Sequence, residues 1–205
     1  MKRKVLAFVL AFGLLLPSVG LGAEAMETLQ ESINSLLAIL ADPALKGPDK
    51  HPEQRRQLRQ VISKIFDYQE LSMRTVGQRW SSFSSAQQDA FAAAFADLLD
   101  AKYLDRIQGY SNERVSYVGE RASKQGNIEI QTMLSLNGKD IAIAYRMVKK
   151  DRWVVYDVII EGVSLVQNYR SQFQDILVKG TPDELIGIIK SKVLESSKGP
   201  ATPSS

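Results

Sequence analysis

The side chains that most often carry enzymatic chemistry are scarce in this chain. It contains one histidine, His51, and no cysteine, which removes most metal sites and most nucleophile–base pairs. His51 precedes Pro52 at an expected helix start, where capping or solvent exposure is commoner than catalysis. The sequence has no glycine-rich phosphate loop, nucleophile elbow or zinc motif. It therefore predicts a protein that is not an enzyme, with no catalytic residues, no metal and no cofactor.

Asp157 is the remaining candidate for acid–base chemistry. It lies among aromatic residues on an apolar strand, an environment in which a carboxylate can be tuned to exchange a proton. The simpler interpretation is an ion pair with Arg146 or Arg170. Glu161, at the end of the same strand, is expected to accept hydrogen bonds from backbone donors at a chain corner.

The N-terminus has the pattern of a secretory signal peptide. Three basic residues at positions 2–4 precede an apolar run from Val5 to Leu16, and small residues follow. Cleavage is expected after Ala23, alternatively after Ala25. A membrane anchor is the competing interpretation, but about 12 apolar residues fall short of the ~20 that span a bilayer. The sequence thus predicts residues 1–23 as a removed leader of an exported protein.

The basic character of the chain comes mainly from that leader. The formal net charge is +3, from 26 Lys and Arg against 23 Asp and Glu. Three of the basic residues lie at positions 2–4, so cleavage leaves equal numbers of both signs. A neutral mature chain gives no support to nucleic-acid binding. With 44% hydrophobic residues, the remainder is large enough to bury a core.

The mature region is expected to form one domain over residues 26–195, with a disordered tail over 196–205. Apolar residues recur at helical spacing in six segments, several of which begin with capping residues. The expected helices run over Met26–Ala41, from Pro52 to Phe66, from Asp67 to near Gly77, over Ala86–Gln108, from Ser164 to Lys179, and from Thr181 past Val193.

Between the fourth and fifth helices the apolar period changes from 3.6 to 2, which indicates strands. Asn137-Gly138 predicts a two-residue hairpin that pairs Leu136 with Lys139. A four-residue turn over Lys149–Arg152 is expected to pair Val148 with Trp153. The four expected strands lie around Val115 and Tyr117, over Asn127–Leu136, over Lys139–Val148 and over Trp153–Glu161.

These registers place almost only apolar residues on one face of the sheet, because side chains alternate along each strand. The other face is mixed and carries Trp153, Val155 and Asp157. The expected apolar face comprises Ile128, Ile130, Thr132, Leu134, Ile141, Ile143, Tyr145, Met147, Val154, Tyr156, Val158 and Ile160.

An ordered set of short motifs gives the chain a family resemblance. It is similar to the periplasmic phospholipid-binding component of the Mla (maintenance of lipid asymmetry) system, also called the toluene-tolerance auxiliary family, over roughly residues 29–193. The motifs are Gly77-x-x-Trp80, Gln87-x-x-x-Phe91-x-x-x-Phe95-x-x-Leu98-Leu99-x-x-x-Tyr103, Tyr145-Arg146, Trp153-Val-Val-Tyr156-Asp157-Val158, Glu161-Gly162-Val163-Ser164-Leu165 and Asn168-Tyr169-Arg170-Ser171-Gln172-Phe173.

The resemblance implies an α+β fold related to NTF2-like proteins. A curved antiparallel sheet of about four strands would be wrapped by six to seven helices around an internal apolar pocket. It also implies a periplasmic carrier that shuttles phospholipid between an outer-membrane lipoprotein complex and an inner-membrane ABC transporter with its membrane-anchored lipid-binding subunit. Such a carrier would maintain outer-membrane lipid asymmetry and solvent tolerance.

A lipid pocket in this fold would be walled by the apolar sheet face and by the facing stripes of two helices. Arg170 is the expected headgroup contact at the mouth. The expected wall residues are Phe91, Leu98, Tyr103, Ile130, Ile143, Tyr145, Val154, Tyr156, Val158, Ile160, Leu165, Tyr169 and Phe173.

Two other functions are compatible with the same residues. A non-catalytic envelope interaction module would have a filled core. An NTF2-like small-molecule enzyme would use Asp157 and a tyrosine as an acid–base pair, and it would need several convergent polar groups in its pocket. The polar-poor sheet face favours the carrier over this enzyme.

Overall fold

The computed structural model describes residues 20–110, 114–123, 125–136 and 138–197. Within these ranges, six α-helices surround one antiparallel sheet whose five strands follow chain order. The predicted α+β class is confirmed. The helices are α1 (Leu21–Ala41), α2 (His51–Ile65), α3 (Tyr68–Val76), α4 (Ser85–Gln108), α5 (Leu165–Leu177) and α6 (Pro182–Ser197), and the strands are β1 (Arg114–Ala122), β2 (Ile128–Leu136), β3 (Lys139–Lys149), β4 (Trp153–Ile160) and β5 (Val163–Ser164).

Local capping residues fix the helix starts that the sequence predicts. Ser84 and Gln87 form a reciprocal capping box at the start of α4. The Ser164 hydroxyl accepts a hydrogen bond from the Gln167 amide at 3.1 Å at the start of α5. At α6, the Glu184 carboxylate accepts from the Thr181 amide at 2.7 Å. Each contact satisfies a backbone N–H that has no partner inside its helix.

Two terminal boundaries differ from prediction. Helix α1 begins at Leu21, five residues before the expected start, and α6 continues through Ser197, inside the expected tail. Most of the predicted leader and residues 198–205 lie outside the described residues. The leader and its cleavage site therefore stay predictions.

The β2–β3 hairpin has the predicted register. Leu136 pairs with Lys139, and Thr132 with Ile143, on either side of the two-residue turn. Gly138 has a φ of 77°, a conformation that the type I′ turn requires and that glycine adopts without steric cost.

The predicted β3–β4 register is wrong. The turn contains three residues instead of four, so Lys149 pairs with Trp153. A bulge at Tyr156 then adds one residue to β4, and Tyr145 pairs with Val158. Because a one-residue slip exchanges the two faces of a strand, Val155 lies on the apolar face and Val154 on the mixed face. Beyond the bulge the offset is two residues, which restores Val158 and Ile160 to the predicted face.

The buried apolar residues form two main clusters. The first lies between α1 and the apolar sheet face and includes Leu29, Ile130, Met147 and Trp153. The second has no strand residue among its buried members and joins α3, α4, α5 and α6. A smaller cluster of Leu40, Leu58 and Leu104 fastens α1 and α2 to α4.

Candidate functional site

Helix α1 covers only one end of the apolar sheet face. Ala25, Leu29 and Ile33 of α1 pack on residues from β2, β3 and β4, and all three are buried. Glu24, near the start of α1, also contacts the sheet. Its carboxylate accepts hydrogen bonds from the Lys149 ammonium and from Trp153 Nε1, the latter at 3.2 Å. The end of the sheet face that lies under α1 is therefore part of the hydrophobic core.

Residues at the opposite end of the same face do not belong to the cluster that contains α1. Ile143 and Ile160 pair across β3 and β4 there. Ile143 is half-buried and Ile160 is 37% exposed, whereas Ile130, on the same apolar face, is fully buried. We call these two residues, together with Ile141, the open end of the sheet face. Apolar area of this kind, beside a folded core, is what a hydrophobic ligand can cover.

Polar groups at this end are few. The Thr132 hydroxyl donates to the Ile143 carbonyl at 3.0 Å, so it is internally satisfied. Burial raises the pKa of the Tyr145 hydroxyl, with Tyr117 nearby as a second cause. The Tyr117 hydroxyl is buried and has no hydrogen-bond partner among the described residues. Neutral hydroxyls can orient a ligand, but the described residues bring no acid and base together at this end, as catalysis would need.

The predicted helix residues lie in the second cluster. Phe91, Phe95, Tyr169 and Phe173 form a network of ring contacts, with centroids 4.9 Å apart for the Phe95–Tyr169 pair and 5.5 Å for the Phe91–Phe173 pair. Edge-to-face geometry dominates, as in well-packed aromatic cores. Leu98 is buried in this cluster, and Tyr103 and Leu165 pack against it.

A cleft of about 330 Å³ opens between α4, α5 and α6. We call it the helical cleft. Its floor is apolar and includes three of the predicted wall residues, Leu98, Tyr169 and Phe173. Two lysines, Lys102 and Lys192, stand among its lining residues, and no sequence motif marks either of them as a site residue.

The thirteen predicted wall residues therefore do not form one continuous surface. Ile130, Tyr145 and Val158 belong to the sheet cluster, and register places Ile143 and Ile160 on the same face. Phe91, Leu98, Tyr103, Leu165, Tyr169 and Phe173 belong to the helical cluster.

Val154 and Tyr156 are corrections to the predicted wall. Val154 pairs with Val148 on the mixed face, and Tyr156 is the bulged residue. The Arg74 guanidinium stacks on the Tyr156 ring, 3.7 Å from its centroid. This cation–π contact joins Tyr156 to α3.

Arg170 has a structural partner within the chain. Its Nε donates to the Arg74 carbonyl at 2.9 Å, and its Nη2 donates to the same oxygen. The guanidinium also lies close to Gly77, whose φ is 69° at the end of α3. Arg170 thus caps the C-terminus of α3, where a cation is favourable. This contact gives no support to the headgroup role, which stays a prediction.

Asp157 joins the sheet to α5. It is 2% exposed. Its Oδ2 accepts from the Ser164 hydroxyl at 2.7 Å and lies 3.2 Å from Arg146 Nη1. Its Oδ1 accepts from the Val166 amide at 3.0 Å. The predicted pairing with Arg146 is confirmed, and the carboxylate is fully engaged in fixing the strand-to-helix corner.

Comparison with solved structures defines the class of protein. The fold matches the phospholipid-binding protein from Ralstonia solanacearum, solved in complex with a phospholipid, with a TM-score of 0.77 and 26% identity. The match covers 85% of this chain and 99% of that structure. The chain is therefore an α+β protein with the fold of a phospholipid-binding protein.

Sequence comparison then gives the family. Residues 30–191 match the family described as MlaC protein, and the chain belongs to it. A curated relative is the intermembrane phospholipid transport system binding protein MlaC of Haemophilus influenzae, 27% identical over 133 residues. That alignment spans 62% of this chain and 60% of the relative.

Among the described helices, none combines the length and apolar character needed to cross a bilayer.

Proposed function

We propose that this protein is a non-catalytic phospholipid carrier that holds acyl chains against the open end of the sheet face. The observation that carries the proposal is the partial exposure of Ile143 and Ile160 on a face that also carries the buried Ile130. Family membership and the phospholipid held by the Ralstonia protein support the same ligand class. Ile130, Tyr145 and Val158 extend the proposed wall inward.

Simple energetics explain why such a carrier is useful. Each CH₂ group withdrawn from water gains about 0.8 kcal/mol, so a two-chain lipid leaves a membrane very slowly unless an apolar surface receives it. The open end provides that surface, while Thr132 and Tyr145 add few polar contacts. Selectivity for the headgroup is therefore expected to be weak.

The cellular setting is also part of the proposal. The signal-peptide pattern favours export to the periplasm, and the relative's name refers to an intermembrane transport system. The partners would be an outer-membrane lipoprotein complex and an inner-membrane ABC transporter with its membrane-anchored subunit. Lipid would pass between them and so maintain outer-membrane asymmetry.

Lipid extraction from the purified protein tests the proposal. Native mass spectrometry of the wild-type protein is expected to show bound phospholipid. Ile143→Lys places a charge on the proposed wall and is expected to abolish the bound lipid. Ala142→Lys is the matched control, because Ala142 is exposed and lies on the opposite face of the same strand. Equal lipid content in both variants, with both folded, would reject the sheet face as the site.

A further inference from the structure

The helical cleft differs from the open end of the sheet face in shape and charge. Its volume of about 330 Å³ is near the lower limit of ordinary small-molecule pockets. The floor is formed by Leu98, Phe173 and Ile189, all less than 8% exposed. Such a floor suits a single apolar chain.

The rim of the cleft carries positive charge. Lys102 Nζ lies 5.4 Å from the centre of the Tyr169 ring, which holds the ammonium beside the cleft. Lys192 lines the cleft from α6. Within the described residues neither ammonium has an ion-pair partner. Glu195 is the acidic residue of the lining, so the rim keeps a net positive charge.

A buried polar atom also borders the cleft. Tyr169 is 3% exposed and lines the cleft, and its hydroxyl lies next to that of Tyr103. No hydrogen bond of normal geometry reaches the Tyr169 hydroxyl from the described residues. Buried hydroxyls normally have a partner, and the Tyr103 hydroxyl is the polar neighbour of the Tyr169 hydroxyl.

Helix α6 leaves space beside the cleft. A shallow groove continues from the cleft along Ile188 and Lys192 and includes Gly187. A Cβ atom added at Gly187 would meet no atom within 4 Å. Glycine inside a helix lowers helix stability relative to alanine, and packing within the described structure does not require it here.

We propose that the helical cleft is a second binding site, for an amphiphile with one acyl chain and an anionic head. The chain would lie on the apolar floor, and Lys102 and Lys192 would bind the head. A free fatty acid and an anionic lysophospholipid share this chemistry. The inference does not depend on the carrier function, because the cleft and the open end of the sheet face are lined by different residues.

Calorimetric titration of the full mature protein, combined with native mass spectrometry, tests this site. Oleate and oleoyl-lysophosphatidylglycerol are titrated separately into protein that retains its co-purified phospholipid. Binding of at least one of them at one equivalent, without loss of that phospholipid, is expected. Binding of oleate alone would indicate a fatty acid, and binding of the lysolipid would indicate a lysophospholipid. No binding of either, or displacement of the phospholipid mole for mole, would overturn the proposal.

Variants identify the cleft as the location. The double substitution K102Q and K192Q is expected to weaken binding of the anionic ligand about tenfold, as two partly exposed ion pairs would, and to leave binding of uncharged oleyl alcohol unchanged. K190Q is the matched control, since Lys190 is exposed on α6 and outside the cleft lining. Ile188→Trp, at a 39% exposed position, is expected to block both ligands. An equal loss in K190Q, or unchanged binding in the double variant and in Ile188→Trp, would place the site elsewhere.

If Ile143→Lys removes the phospholipid while oleate still binds, the two sites are independent. A protein that carries no phospholipid but binds oleate in a Lys102-dependent manner would contradict the carrier function and leave the second site standing. The two proposals can therefore fail separately.

Discussion

The helical cluster and the sheet face are both rich in apolar side chains, but they use them differently. In the helical cluster, four aromatic rings contact one another and Phe95 is fully buried. On the sheet face, α1 covers one end, while Ile160 at the other end is 37% exposed. The contrast shows that apolar composition alone does not define a core. The presence of a covering element decides whether an apolar surface is filled or free to take a ligand.

The largest expected effect tests this contrast directly. Phe95→Ala removes a ring that contacts Phe91, Tyr169 and Phe173, and we expect the free energy of unfolding to fall by about 3–5 kcal/mol. Ile160→Ala in lipid-free protein is expected to cost less than about 1 kcal/mol, because much of its surface is already in water. Urea denaturation measures both. Similar losses in the two variants would remove the distinction between the filled cluster and the open end.

The second-largest expected effect concerns Asp157, which connects the sheet to α5. Asp157→Ala removes the acceptor of the Ser164 hydroxyl and of the Val166 amide and leaves Arg146 with Glu129 as its ion-pair partner, so the free energy of unfolding should fall by about 3 kcal/mol. Asp157→Asn keeps an acceptor oxygen and should cost less. We expect the bound phospholipid to survive in Asp157→Asn, because the carboxylate fixes a corner and touches no proposed wall residue. Loss of lipid from a stably folded Asp157→Asn protein would assign the carboxylate a direct role.

A smaller effect is expected on the sheet face itself. Thr132→Val removes the hydrogen bond to the Ile143 carbonyl with little change in shape, at a cost of about 1 kcal/mol. Thr132→Ser keeps the hydroxyl and serves as the control. Thermal unfolding of both variants gives the comparison. A higher melting temperature for Thr132→Val than for the wild type would show that the Thr132 hydroxyl does not stabilise the fold, and it would assign the hydroxyl to ligand binding.

The smallest expected effect concerns helix α1, which packs on one end of the sheet face. Hydrogen bonds from Lys149 and then from Trp153 hold the pKa of Glu24 below its usual value of 4.5. Because the folded-state pKa is the lower one, this contact stabilises the protein above pH 4.5 and is lost as pH falls through the folded-state pKa. Protection factors for amide exchange at Met26–Leu29, which correct for the intrinsic pH dependence of exchange, should therefore fall below pH 4.5 in the wild type. Glu24→Gln should remove this pH dependence, and an unchanged profile in that variant would show that another group attaches α1.

Much of the fold was predictable because its signals are local. Ser84 with Gln87 and Thr181 with Glu184 satisfy backbone donors within one turn of helix, and Asn137-Gly138 dictates its own register. None of these depends on a distant residue. The predicted pairing of Asp157 with Arg146 also holds, since cross-strand neighbours follow from the approximate register.

The β3–β4 prediction was wrong because two opposing irregularities occur together. A three-residue turn shifts the strand by one residue, and the bulge at Tyr156 shifts it by one more. Alternation of apolar residues cannot reveal a bulge in a strand that is apolar on both faces. Val154 and Tyr156 were therefore assigned to the wrong side, whereas Val158 and Ile160 kept the predicted one.

Spacing and capping along the chain were enough to predict the six helices, the four long strands, the β2–β3 hairpin and the apolar character of one sheet face. The three-dimensional arrangement was needed to show that Ile143 and Ile160 lie outside the cluster that contains α1, that Arg170 caps α3, and that Lys102 and Lys192 line one cleft. These outcomes depend on how far a covering element reaches and on which distant side chains it brings together. No local pattern encodes that reach.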